Sequence, residues 1–210
     1  MSGKSFFIVI LIVFQNVLNA QSGISGVYEF HKTEMTAAFR FMEAGTFEFF
    51  YSYGASDRNA SGKYEIKDQT ILLQSDKVAG KDFTIGIQSK KTTNTMIQVK
   101  SPHTFLLSGV VAICVNEGFQ TIETRSDNDG MIDLEGQKCE KVYLKHVYFP
   151  NVPSLIKDAG NTNTYFEVTP LESLAAFSFT GINLTKSGED LLCLPNVLFP
   201  FENITFKKVE

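Results

Sequence analysis

The chain has 210 residues, with 19 basic and 23 acidic side chains and three histidines. That mild acidity argues against a nucleic-acid partner, which would need a clustered basic face. Aromatics make up 12%, with 19 Phe, 7 Tyr and no Trp, a supply that favours strands and a core that needs no crosslinks to be stable.

The first twenty residues read as a targeting segment. Lys4 precedes the apolar run Phe6–Phe14, which is too short to cross a bilayer as a helix, and Ala20 is the small residue that a signal peptidase requires. The expectation is a signal peptide over 1–20, cleaved before Gln21. Its removal leaves 18 basic against 23 acidic residues, a net charge of −5. No cysteine stands near the cut to take a lipid anchor, and no later apolar run approaches spanning length. The protein is therefore expected to be secreted or periplasmic and not membrane-spanning.

From 21 to about 100, short alternating runs are divided by turn residues. Tyr28 and Phe30 share a face, as do Phe39 and Phe41. The run Gly45–Tyr53 lines up Phe47, Phe49, Tyr51 and Tyr53 at strand spacing, with Phe50 on the opposite face between Glu48 and Ser52. This stripe is the core of a sheet or, read functionally, a ligand-binding surface for an apolar or sugar ring. Residues 56–61 read as a polar loop. Tyr64 and Ile66 then point inward, Asp68-Gln69 turns, and Thr70–Gln74 follows as a strand.

Three stretches, Gly26-Val-Tyr28, Glu43-Ala-Gly-Thr-Phe47 and Ser61-Gly-Lys-Tyr64 with Thr70–Leu73, resemble the small lipocalin-like β domains of secreted bacterial proteins. The resemblance implies an antiparallel meander or barrel. Tyr28 stands where lipocalins carry Trp.

The segment 104–169 differs. Phe105–Val115 is a nearly continuous apolar run, expected to be covered on both faces. Phe119–Thr124 and Gly130–Glu135 read as strands either side of the tight turn Asp127-Asn-Asp-Gly130, with Ile132 and Leu134 beyond it facing inward. Thr124, Asp127 and Gly130 sit at the hairpin positions of the carboxypeptidase regulatory-like domain, so the segment resembles a transthyretin-like β-sandwich. Such domains are non-catalytic scaffolds. Residues 151–164 read as a loop. Thr169-Pro-Leu-Glu172 has the grammar of a helix start, which allows one short helix near 170–176 before Phe177–Gly181 resumes strand alternation. Residues 170–210 close the chain with strands expected to return to the first sheet.

Motifs for chemistry are few. The three cysteines allow one bridge and a spare thiol; Cys139 with Cys193 is the preferred pairing and three free thiols the alternative, while Cys114 reads as a buried small hydrophobe. Asp127 and Asp129 are the candidates for a metal, but aligning Gly130 with the glycine of a calcium loop puts Arg125 and Gly136 at the key ligand positions, so no metal is expected. His31, His103 and His146 share no ligand spacing; His146 reads as an edge or core residue. No nucleophile or phosphate motif appears, and no cofactor or catalytic residue is expected. Asn59-Ala-Ser61, Asn183-Leu-Thr185 and Asn203-Ile-Thr205 match the N-glycosylation pattern, by chance if the source is bacterial.

The sequence thus reads as an all-β protein with an antiparallel barrel-like sheet and a small β-sandwich. The expected function is a non-catalytic binding or interaction module whose partner is a protein, a glycan or a small apolar ligand, with specificity in the loops 52–61 and 151–164. The alternative is a carrier with a small apolar ligand inside the first sheet, and a hydrolase is a third reading.

Overall fold

A computed structural model describes residues 24–54, 56–200 and 202–209, so the expected signal peptide and its cleavage point lie outside the described residues. Among the described residues there are sixteen strands. The first five are β1 (Gly26–Lys32), β2 (Met35–Met42), β3 (Thr46–Tyr53), β4 (Ser56–Lys67) and β5 (Thr70–Ser75). Next come β6 (Phe83–Ser89), β7 (Thr95–Val99), β8 (Val110–Val115), β9 (Thr121–Arg125) and β10 (Met131–Leu134). Then follow β11 (Lys141–His146), β12 (Phe149–Lys157) and β13 (Tyr165–Pro170), and last β14 (Asn183–Ser187), β15 (Asp190–Cys193) and β16 (Ile204–Lys208).

β1 to β5 and β14 to β16 form a closed antiparallel barrel in the order β1-β16-β15-β14-β5-β4-β3-β2. Strict alternation dictates it. β3 buries Phe47, Phe49 and Tyr51 and turns Glu48 and Phe50 outward. β4 alternates over all twelve residues, so 56–61 is strand rather than loop. The alternation was masked because its first buried inward position holds Arg58, 2% exposed, where an apolar residue is ordinarily read. At Gly62 an added Cβ would lie 2.1 Å from the Gln74 carbonyl oxygen, so only glycine lets β5 approach β4 there.

β6 to β13 form two four-stranded sheets, β10-β7-β13-β6 and β12-β11-β8-β9, whose inner faces share one core. All pairings are antiparallel except β7 with β13. Residues 83–99, read from sequence as part of the first sheet, pair instead with β13 and β10. Period two specifies a strand but not its neighbour. Ile97 and Val99 are fully buried in this second core, which they share with Val110 and Leu144.

Four further segments depart from the sequence reading. The stretch around Asp127–Gly130 is no hairpin, because β9 pairs with β8 in one sheet and β10 with β7 in the other. It is a corner between sheets: Gly130, at φ +79°, packs where a Cβ would meet the Val99 carbonyl oxygen at 2.8 Å. Residues 151–157 belong to β12; Pro153 is tolerated because β12 is an edge strand with two register shifts against β11. Thr169 and Pro170 end β13 instead of capping a helix, and the 3-10 turn Glu172–Ala175 starts from Leu171 with no side-chain cap. Phe177–Gly181 lies outside the strands, yet Phe177 and Phe179 are each 1% exposed inside the barrel. The segment is held by Phe177 N–H donating to the Asn59 carbonyl (2.7 Å) and Phe179 N–H donating to Ser75 Oγ (2.5 Å).

The disulfide joins Cys114 to Cys139, leaving Cys193 as a buried thiol. The expected Cys139–Cys193 pair fails because the two residues belong to different cores: Cys139 lies in the sandwich, Cys193 in the barrel.

Candidate functional site

The aromatic stripe divides between two environments. Phe47 and Phe49 are 1% and 3% exposed inside the barrel. There Phe39 meets Phe49, Phe206 and Phe179 with ring centroids at 4.6, 5.0 and 5.3 Å, and Phe179 meets Phe47 at 5.7 Å. Edge-to-face and tilted rings at these separations occupy the barrel axis with protein. Tyr51 lies at the edge of this packing, 5.8 Å from Phe199. Tyr53, at the same inward parity but one step beyond, is 50% exposed.

Tyr51 and Tyr53 open onto a cleft of about 370 Å³ at the end of the barrel where the β1–β2 and β3–β4 hairpins turn. Gly54 N–H donates to the Glu34 carbonyl (3.1 Å), tying the two turns together. Met35 forms one wall; Val197, Phe199 and Pro200, from the β15–β16 connection, form the other. That connection is shaped by Asn196, whose Oδ1 accepts from the N–H groups of Leu198 (2.9 Å) and Phe199 (3.4 Å). Phe199 is thereby turned in against Phe30 and Phe206, and Val197 is left 51% exposed. A Lys32–Glu202 ion pair crosses the rim. Burial raises the Tyr51 pKa, so its phenol stays neutral. The arrangement offers an apolar surface with two phenol rings and a paired, net-neutral rim. Met35 and the 197–200 segment carry no sequence signal of this role beyond the prolines that bracket the connection.

The other candidate residues are structural. Asp127 Oδ1 accepts from the N–H groups of Asp129 (3.0 Å) and Met131 (2.8 Å), which makes it a turn-forming side chain. Among the described residues no group of three His, Cys, Asp or Glu side chains could hold a metal ion. The Cys193 thiol is pushed up to about 11 by burial and accepts from Asn196 Nδ2 at 3.3 Å. Lys157 Nζ donates to the Cys139 carbonyl at 2.7 Å, and desolvation lowers its pKa.

His146 is 1% exposed in the sandwich. Its ring packs against Gly109, where an added Cβ would lie 2.5 Å from two ring atoms, and its Nδ1 accepts from Tyr148 N–H at 3.3 Å. Desolvation, then the neighbouring Arg125 charge, depresses its pKa below 6.5. Between that folded value and the unfolded one, near 6.5, the unfolded chain binds a proton that the native state does not. Stability therefore falls as pH drops below about 6.5, with a slope of at most about 1.4 kcal/mol per pH unit, the limit for one proton. Urea unfolding between pH 7.5 and 5 should show this slope, and the His146→Gln variant should lose it; equal slopes in both proteins would refute the assignment.

No helix among the described residues is long and apolar enough to cross a membrane. Comparison with protein-family models, with curated proteins and with solved structures returned no match.

Proposed function

We propose that this protein is a non-catalytic binding module that meets its ligand at the barrel mouth. The observation that carries the reading is the contrast along one stripe of β3: Phe47 and Phe49 are sealed in the core, whereas Tyr53 faces an open apolar cleft. Exposed aromatic and aliphatic side chains grouped around a concavity are a common form of recognition surface. The ligand chemistry that fits is a small aromatic or aliphatic group, free or on a partner protein, with an uncharged polar end near the Lys32–Glu202 rim. The carrier alternative draws no support from the interior, where phenylalanine rings lie in mutual contact. The non-catalytic reading is supported by the desolvated basic groups: Arg58, Lys77, His146 and Lys157 are each engaged away from the cleft, and burial holds Tyr51, which lines it, as a neutral phenol. A core disulfide fits an oxidising compartment outside the cytoplasm, the location also proposed from the first twenty residues.

The test is fluorescence titration with N-phenyl-1-naphthylamine, an uncharged dye with two aromatic rings and one polar N–H. Tyr53→Ala removes roughly 40 Å² of apolar contact, about 1 kcal/mol, so affinity should drop about fivefold. Val197→Ser should weaken it similarly, and Phe50→Ala, on the outer wall, should not. Absence of binding, or binding indifferent to Tyr53 and Val197, would refute the site.

A further inference from the structure

The outward face of β2, β3 and β4 carries a feature that neither the core nor the mouth explains. Among the outward positions of these strands, Phe50 is the single aromatic, and it is 46% exposed. Register places Ala38 directly beside it on β2 and Asn59 on β4. The next row is Arg40, Glu48 and Ser61. Because Ala38 is small, no side chain leans over the ring from that flank, and a groove of about 460 Å³ opens along it. Its floor includes Phe39, Phe49 and Ala60, whose side chains are buried in the core.

We propose that this groove binds a neutral saccharide. A pyranose presents a face of polarised C–H groups, which packs on the electron-rich face of an aromatic ring. Its edge presents hydroxyls that donate and accept at once, and these pair best with planar or hydroxyl side chains. Phe50 supplies the ring; the Asn59 amide, the Ser61 hydroxyl and the Arg40–Glu48 pair supply the edge partners. Arg40 Nη1 and Glu48 Oε2 stand 3.5 Å apart, so the row carries no net charge and selects against charged ligands. Ser61 Oγ donates to Asp76 Oδ2 at 2.7 Å, leaving its lone pairs free to accept from a sugar hydroxyl. Apolar atoms make up most of the exposed lining, which suits the C–H face of a sugar, and a wholly apolar occupant would leave the four polar side chains at the edge desolvated without partners. The groove is large enough for one or two sugar rings, and a single stacked ring implies weak binding, with Kd on the order of 0.1–1 mM.

Affinity electrophoresis through gels cast with soluble β-glucan, xylan or galactomannan tests the proposal, using protein made without glycosylation so that Asn59 is unmodified. At least one polysaccharide should retard the protein. Phe50→Ala should reduce that retardation at least tenfold while lowering the melting temperature only slightly, since the ring is 46% exposed. Ala38→Leu, which fills the groove and keeps Phe50, should reduce it as well, and Tyr53→Ala at the mouth should have no effect. No retardation in any of the three gels would overturn the proposal. So would retardation that survives both groove variants, or retardation lost only with Tyr53→Ala, which would move the sugar to the mouth.

Discussion

Replacing Asp82 with Ala should cost about 3–5 kcal/mol, the penalty of removing the carboxylate from the buried Lys77–Asp82 pair. Asp82 Oδ1 stands 2.6 Å from Lys77 Nζ, and both side chains are 4% exposed. Its Oδ2 accepts from Asn151 Nδ2 at 3.3 Å, and Asn151 Oδ1 in turn accepts from Arg58 Nη2 at 2.5 Å. Arg58 comes from the barrel, Asn151 from the sandwich, and Lys77 and Asp82 from the segment that joins them. The guanidinium also lies over the Phe177 ring, 5.3 Å from its centroid. Desolvation lowers the Arg58 pKa to about 10, and Asp82 opposes the shift, so the guanidinium is charged at neutral pH. Without Asp82, the desolvated Lys77 ammonium loses its carboxylate while the Arg58 charge still opposes it, and Asn151 loses one of its acceptors. Guanidinium chloride denaturation should show the loss, and the single transition should separate into two as barrel and sandwich uncouple. A loss below about 1 kcal/mol with one sharp transition would show that the cluster holds nothing together.

Phe39→Ala should be of similar size, about 3–5 kcal/mol, for a different reason. Phe39 is fully buried, and its ring touches rings from β3, from β16 and from the 177–181 segment. Truncation opens a cavity that no single neighbour can fill, because those rings are anchored on separate strands. Thermal unfolding should move down by roughly 6–20 °C, at 2–4 °C per kcal/mol for a domain of this size. The vacated space is apolar and enclosed, so saturating benzene should recover part of the loss in the variant and none in the parent. A shift under 3 °C would mean that the barrel interior is less tightly packed than its ring separations indicate.

These two sites differ in how far the sequence discloses them. The Phe39 cluster is legible: alternation in β2 and β3 assigns Phe39, Phe41, Phe47 and Phe49 to one side. The Asp82 cluster is not. Arg58 looks like part of a polar loop because its partners arrive from β12 and from the linker before β6, far along the chain. The same blindness hid the first half of β4, and it turned the edge strand β12 into a loop, because Asn151 and Pro153 lack a strand's usual character. The mouth was half visible. Tyr51 and Tyr53 belong to the stripe, but Val197, Phe199 and Pro200 are assembled beside them only when Asn196 folds its own connection.

Alternation of side chains, a property of each strand taken alone, was enough to establish an all-β protein and to say which residues of β1 to β5 turn inward. Pairing is a different kind of information, set by which apolar face another strand can cover once the chain has doubled back. Tertiary structure alone therefore decided that 83–99 joins the sandwich, that Asp127–Gly130 turns a corner between sheets, and that Cys139 meets Cys114. It also decided that Tyr53 and Phe50 face solvent in concavities, because exposure depends on what distant segments leave uncovered.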